Sequence, residues 1–305
     1  MIFKNKEVSF FFMQKTLGNI FSSSDTLKAY RLLTPSLLLL IIVFAFPIIF
    51  LITYSFWTQD YVTINTTLTL ENYKTVINKS SYHELIKRSL VISSLTTVVT
   101  VLLAYPMAYF VAFVVKERKL LWLIVLTIPF WTSYLLRVFS WKLILGYNGV
   151  INGSLHNLGI IENPLSFLLY NPFAVFVTLA HAWSAFAILP IYVSLEKIDR
   201  SLLEAAADLG DSAFKRFFRI TFPLSFPGVL AASLIIFIPT TGDYITPKLV
   251  GGSEGIMVAN LIQVMFGKAN NWPLGSSLAV ITMIIVTASV ILFVLISRWL
   301  ISRIK

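Results

Sequence analysis

Long apolar runs alternate along this chain with shorter stretches where charges gather. The runs fall at roughly Leu32–Phe56, Leu90–Val115, Leu120–Leu145, Pro172–Leu195, Leu224–Val250 and Leu274–Ser297. Each reaches the ~20 residues that a helix needs to cross the hydrocarbon core of a bilayer. The expected fold class is therefore all-α, a polytopic membrane helix bundle of six transmembrane helices in one domain, residues 32–300. Residues 1–31 form a leader ahead of it and residues 301–305 a tail. The loop from Trp57 to Arg88 is long and mixed, with Asp60, Glu71, Glu84 and several threonines. The loop from Gly146 to Asn171 is rich in glycine and asparagine and predicts turns with a short surface helix. Ala104, Ala108 and Ala112 share one helix face as a close-packing seam. Prolines at 47, 106, 129, 190, 239 and 247 suit a domain that must rearrange.

Composition agrees. The 305 residues are 57% hydrophobic and only 12% charged, with a mean hydropathy of +0.82. A soluble domain carries about 25% charged residues. The net charge of +10 suggests nucleic acid until its distribution is considered, because basic residues collect in cytoplasmic loops of membrane proteins. Lys4, Lys6, Lys15, Lys28 and Arg31 fill the leader, Lys116, Arg118 and Lys119 the second turn-around, and Lys197, Arg200, Lys215, Arg216 and Arg219 the segment after the fourth run. Arg298, Arg303 and Lys305 end the chain, while the alternate loops hold only Lys74, Lys79, Lys87, Arg88, Lys248 and Lys268. Both termini are expected in the cytoplasm. The leader reads as an uncleaved signal anchor, with Met1 and Met13 both open as starts.

Several chemistries are excluded. The chain has no cysteine, so thiol catalysis and thiolate metal sites are ruled out. His83, His156 and His181 lie far apart without ligand spacing. An integral-membrane enzyme would need a clustered set of His, Asp, Glu or nucleophile side chains, and none is apparent. The Gly267-Lys268 pair is followed by Ala269, so no phosphate-cradling Gly-x4-Gly-Lys-Ser/Thr loop exists.

The polar segment 196–223 carries the most specific signal. Asp199 is a suitable N-cap for a helix from Arg200 to Leu209, and Gly210 suits the left-handed position that ends it. Asp211 or Ser212 can cap a second helix through Phe214–Ile220, stopped before Pro223. Leu202, Leu203, Leu209, Phe214, Phe217 and Phe218 supply apolar anchors, and Ala205 and Ala206 permit close approach. A hairpin of this kind fits a helix-in-groove contact with a partner. Glu204-Ala205-Ala206, Gly210, Ile220 and Pro223 resemble the EAA loop of ABC importer permeases, with Phe222 where leucine is usual. The chain further resembles permease subunits of spermidine/putrescine importers through Ile128–Ser133, Leu136-Arg137, Leu189-Pro190, Leu195–Asp199, Leu249–Gly252 and Asn271–Gly275. That branch also includes permeases for opines and other small solutes.

The resemblance implies a type I importer permease fold with no cofactor and no metal, lodged in the bacterial inner membrane. It implies two copies of a separate ATPase, a second homologous permease and a periplasmic or lipid-anchored polyamine-binding protein. Coupling to the ATPase would fall to Glu204, Ala205, Ala206, Asp208, Leu209, Gly210, Phe214, Phe217, Ile220 and Pro223. A secondary transporter using Asp243 and His181 for protons is the rival reading; it would need neither an ATPase nor this loop.

Within the spans, Asp243 follows Pro239-Thr240-Thr241-Gly242, where the fifth run is broken. An ionisable group at membrane depth usually faces a wet interior, and broken helices mark binding sites. Asp243 with Tyr244 would suit a cation by charge and cation–π contact; the bland reading places Asp243 at the outer mouth, solvated or paired with Lys248. Trp131 and Trp141, flanking Arg137 and Lys142, are either a gate in the substrate path or an interfacial belt with snorkelling cations. His181 is expected to pack through hydrogen bonds with Ser or Thr of neighbouring helices.

Overall fold

The computed structural model describes residues 30 and 32–304. The basic leader falls outside them. The first spanning helix, α1 (Leu32–Ser55), belongs to a unit of its own that ends at Tyr54. Along it Phe46, Phe50 and Tyr54 stack at a four-residue spacing, with centroids 6.2 and 4.6 Å apart.

The second unit begins at Ser55. Its first part, read from the sequence as a loop, holds more structure than that. Strands β1 (Thr58–Asp60) and β2 (Thr63–Asn65) pair antiparallel, and α2 (Glu71–Asn78) follows. Helix α3 (Ser80–Tyr109) starts ten residues before the apolar run that announced it. His83, Glu84, Lys87 and Arg88 form its first turns, and a hydropathy boundary marks where lipid begins rather than where the helix begins. At its far end α3 widens into a π-turn at Phe110–Val114, closed by Val115 N–H donating to the Phe110 carbonyl.

The third run is not one straight span. It divides into α4 (Lys119–Thr127), a 3-10 turn at Ile128–Trp131 and α5 (Tyr134–Leu145), which is followed by α6 (Val150–Asn157). The two halves meet at an angle of 78°. Pro129 in the tight turn and the extended Thr132 and Ser133 interrupt the hydrogen-bond ladder there. Five helices of the described residues are long and apolar enough to cross a membrane, six if the bent pair counts as one span.

Three spans make the core. They are α3, α7 (Pro172–Glu196) and α10 (Phe222–Thr241). The alanine seam sits where its spacing placed it: Ala104, Ala108 and Ala112 are buried against Ala187, Ile188, Ile191 and Ile236. Gly228 of α10 lies so close to α7 that a Cβ there would come within 2.4 Å of the Pro190 carbonyl. Small residues of this kind let membrane helices approach backbone to backbone. Buried hydroxyls follow the same faces; Thr100 donates to the Ala180 carbonyl at 3.3 Å across α3 and α7. A shorter helix α8 (Arg200–Asp208) and a single turn α9 (Ala213–Arg216) lie between α7 and α10. Past α10 come α11 (Ile245–Val250), α12 (Val258–Phe266) and the last span, α13 (Trp272–Ile304).

Candidate functional site

Two places in this scaffold have the makings of a site. The first is the helical hairpin formed by α8 and α9. Asp199 caps α8 by accepting from the Ser201 N–H at 3.0 Å, and those contacts hold its carboxyl below the usual carboxylate range. The helix ends as expected. Gly210 takes φ +84°, its N–H donates to Ala207, and the Asp211 N–H reaches back to Ala206 at 3.0 Å. This pair of bonds satisfies the last carbonyls of α8. Ser212, of the two candidates, caps α9, accepting from Lys215 N–H at 3.4 Å. Asp211 instead pairs with Lys215 at 2.6 Å and with Arg219 at 3.4 Å; the Lys215 hydrogen bond chiefly lowers its pKa.

The expected stop before Pro223 does not occur. Helix continues from Ala213 to Thr241 through a π-turn at Phe217–Thr221, where Phe222 N–H donates to the Phe217 carbonyl. A proline in a regular helix clashes with the carbonyl four residues earlier and removes a donor. The wider turn shifts that carbonyl aside, so the chain passes Pro223 without ending.

The hairpin has an inner and an outer face. Leu209 is 86% exposed and Phe214 75%, with Glu204, Ala205 and Asp208 beside them on the surface. Ala206 and Pro223 are buried and Ile220 half-buried. Phe217 also faces inward, packing on Tyr105, Tyr109 and Phe222 at centroid distances of 5.6, 6.4 and 6.1 Å. The structure thus divides the ten residues singled out here into those that present and those that anchor.

The second place is a cavity of about 280 Å³ at the far end of α10. Tyr134, Arg137, Ala182, Trp183, Phe186, Pro239, Gly242, Asp243 and Tyr244 line it. Asp243 is 9% exposed and caps α11: one carboxylate oxygen accepts from Ile245 N–H at 2.8 Å and Thr246 N–H at 3.3 Å. The other accepts from the Thr246 hydroxyl at 2.8 Å and from the Tyr134 hydroxyl. Lys248 is not a partner among the described ion pairs. Arg137 donates to the Ala182 carbonyl at 2.9 Å and lies 5.5 and 5.8 Å from the Phe130 and Tyr134 rings. It turns into the protein rather than out to the interface.

Asp243 and Tyr244 are brought together here, but Trp131 and Trp141 are not among the lining residues. Trp131 is 73% exposed. Trp141 packs on the core beside Leu179 and Val250 and meets His181 edge-on at 5.4 Å. His181 also lies 5.3 Å from the Phe130 ring, so among the described residues it packs through rings rather than through the hydroxyls expected of it. Tyr134, Trp183 and Phe186 were missed. An amphipathic ring within a span is the local signal that could have found Tyr134 and Trp183; Phe186 carries none. A larger hollow of about 470 Å³ on the other side of Gly242, lined by Ile238, Thr241, Ile262, Met283 and Thr287 among others, has no charged side chain in its wall. The Asp243 cavity, by contrast, gathers a carboxylate, a guanidinium and a phenol hydroxyl in one wall.

Residues 85–305 match the family described as "Binding-protein-dependent transport system inner membrane component". The chain is 36% identical over 213 residues to the spermidine/putrescine transport system permease protein PotB of Haemophilus influenzae, covering 70% of this chain and 74% of that one. It is 32% identical over 267 residues to PotB of Escherichia coli, covering 87% and 96%. Among solved structures it superposes on a chain of a bacterial ABC transporter involved in import of the acidic polysaccharide alginate, with a TM-score of 0.70 at 16% identity, covering 90% and 96%.

Proposed function

The chain belongs to the family of inner membrane components of binding-protein-dependent transport systems, and from that premise we propose that it forms half of a pathway importing spermidine or putrescine. As a multi-pass permease subunit of an ABC importer it works with an ATPase, a partner permease and a binding protein. The observation that carries the polyamine assignment is the identity of 32–36%, over most of the chain, to permeases named for spermidine and putrescine.

In this reading two ATPase copies serve the complex, and one receives the outer face of the hairpin: Glu204, Ala205, Asp208, Leu209, Gly210 and Phe214. Ala206, Phe217, Ile220 and Pro223 anchor that face to the bundle. Both termini and the hairpin lie in the cytoplasm, the domain occupies residues 32–300, and a polyamine-binding protein delivers solute from the other side. Within the cavity Trp183, Phe186 and Tyr244 offer ring faces to an ammonium group. Asp243 supplies negative charge, although a cation reaches it only by displacing the Tyr134 hydroxyl. Trp131 and Trp141 belong to the approach and the packing around this path.

Arg137 favours a second reading. A guanidinium and a carboxylate lining one cavity match a zwitterion, an amino acid or opine, better than a polycation. The experiment that decides is uptake of labelled spermidine and putrescine in cells with and without this gene, the other subunits intact. Selective loss is the expected result; unchanged uptake moves the assignment to another small solute. Arg137→Met separates the two further. Polyamine uptake should persist or rise, whereas import of a zwitterion should fall by about tenfold or more on losing one charge-assisted hydrogen bond.

A further inference from the structure

Four helix ends meet near the hairpin, and the charges on three of them stand where their own helices disfavour them. The C-terminal end of α3 leaves orphan carbonyls, since the chain turns extended at Val115. One of these, the Ala112 carbonyl, accepts from Lys119 Nζ at 2.9 Å and from Arg200 Nη2 at 3.0 Å. Lys119 also grips both carboxylate oxygens of Glu196 at 2.7 and 2.8 Å. The Arg200 guanidinium lies 5.8 Å from the Phe113 ring.

Lys119 is the first residue of α4 and Arg200 the first of α8, while Glu196 is the last of α7. A helix favours anions at its start and cations at its end, so all three oppose their own macrodipoles. The cations suit the C-terminal ends of other helices, α3 for both and, through Glu196, α7 for Lys119. Local helix stability does not account for this set; what it accomplishes is to tie the start of the hairpin to the ends of α3 and α7. Helix α7 carries Ala182, Trp183 and Phe186 of the Asp243 cavity.

We propose that Arg200 and Lys119, converging on the Ala112 carbonyl, are positioning residues for energy coupling: they make α3, α7 and α8 move together, so that displacement of the hairpin reaches the cavity wall. The proposal rests on the hairpin being the element that receives the ATPase. Neither side chain need touch ATPase or solute. Without the junction α8 moves against the bundle instead of with it.

The test uses the complete importer in proteoliposomes, with Phe186→Cys as a reporter in the cavity of a chain that otherwise has no cysteine. The readout is the thiol-labelling rate of this chain with and without ATP and vanadate, and ATP hydrolysis is followed in parallel. In the parent, trapped nucleotide should change labelling at least about 5-fold, the lower end of ordinary coupling free energies. In Arg200→Met and in Lys119→Met the change should shrink to within about 2-fold while hydrolysis continues. Arg200→Lys, which can still donate to the carbonyl, should restore it. A parallel fall of labelling change and hydrolysis, full response in both variants, or loss of assembly in both would overturn the proposal. Failure of the docking reading looks different: the ATPase would stay bound and nucleotide-responsive in Gly210→Val.

Discussion

The hairpin at residues 199–216 and the break at residues 239–250 use the same device in opposite senses. Each is a helix, a glycine and a capped second helix, with Asp or Ser accepting backbone N–H groups. At the hairpin the glycine is left-handed at φ +84°, and Leu209 and Phe214 are thrown outward. At the break Gly242 keeps a negative φ of −89°, and the carboxylate that follows it turns inward, consumed by four protein donors. One version exposes apolar side chains and the other shapes a wall. Handedness at the glycine and burial of the cap distinguish them, not the residue types.

Gly210→Val should break the hairpin most severely. No atom lies within 4 Å of a Cβ there, so the obstacle is conformational, about 1–2 kcal/mol for a left-handed residue and more for a β-branched one. Uptake should be abolished with membrane insertion intact, as uptake assays and membrane fractionation would report. Gly210→Asn, which tolerates that conformation, should transport nearly normally, and its failure would point to space rather than φ.

Asp243→Ala should be next. It strips the cap of α11, about 1 kcal/mol, and leaves the Tyr134 hydroxyl with the Thr246 hydroxyl alone, 2.6 Å away. Solute uptake should drop roughly tenfold or beyond, while copurification of the ATPase stays at the parental level. Loss of the ATPase would show that the two breaks are not independent.

Acid should affect the hairpin weakly and late. The pKa of Asp211 is depressed in the folded chain, mostly by Lys215. Its contribution is therefore present above the unfolded value of about 3.9 and is lost as pH falls through the folded one. The protection factors of the α9 amides, with the intrinsic pH dependence of exchange divided out, should be flat from neutrality down to about pH 4 and fall below it, and Asp211→Asn should remove that dependence. Smallest of all, Gly242→Ala should leave expression and insertion unchanged, because its φ is ordinary and the nearest atom to the new Cβ is 3.8 Å away.

The hairpin was legible because its chemistry is local. Asp199, Gly210 and Ser212 act within a few residues of themselves, and capping rules need no tertiary knowledge. The alanine seam was legible by periodicity. The wall of the cavity was not: Tyr134 and Asp243 are 109 positions apart, and only the fold joins them. Arg137 could not be placed from the sequence for the same reason, its carbonyl partner being on α7. The early start of α3 and the passage through Pro223 escaped because hydropathy and proline rules describe regular helices in lipid. Polar first turns and π-turns fall outside those rules.

The unbroken helix from Ala213 to Thr241 makes the length of this stretch a heritable quantity. Its 29 residues act as a rod of about 43 Å with the hairpin at one end and the cavity at the other. Substitutions along its surface leave the relative bearing of the two ends alone. A single inserted or deleted codon turns one end against the other by about 100° and swings the presented face away from whatever it meets. Natural variation in this gene should accordingly accumulate as exchanges of side chain between Phe222 and Thr241, with gaps confined to the segments outside the rod.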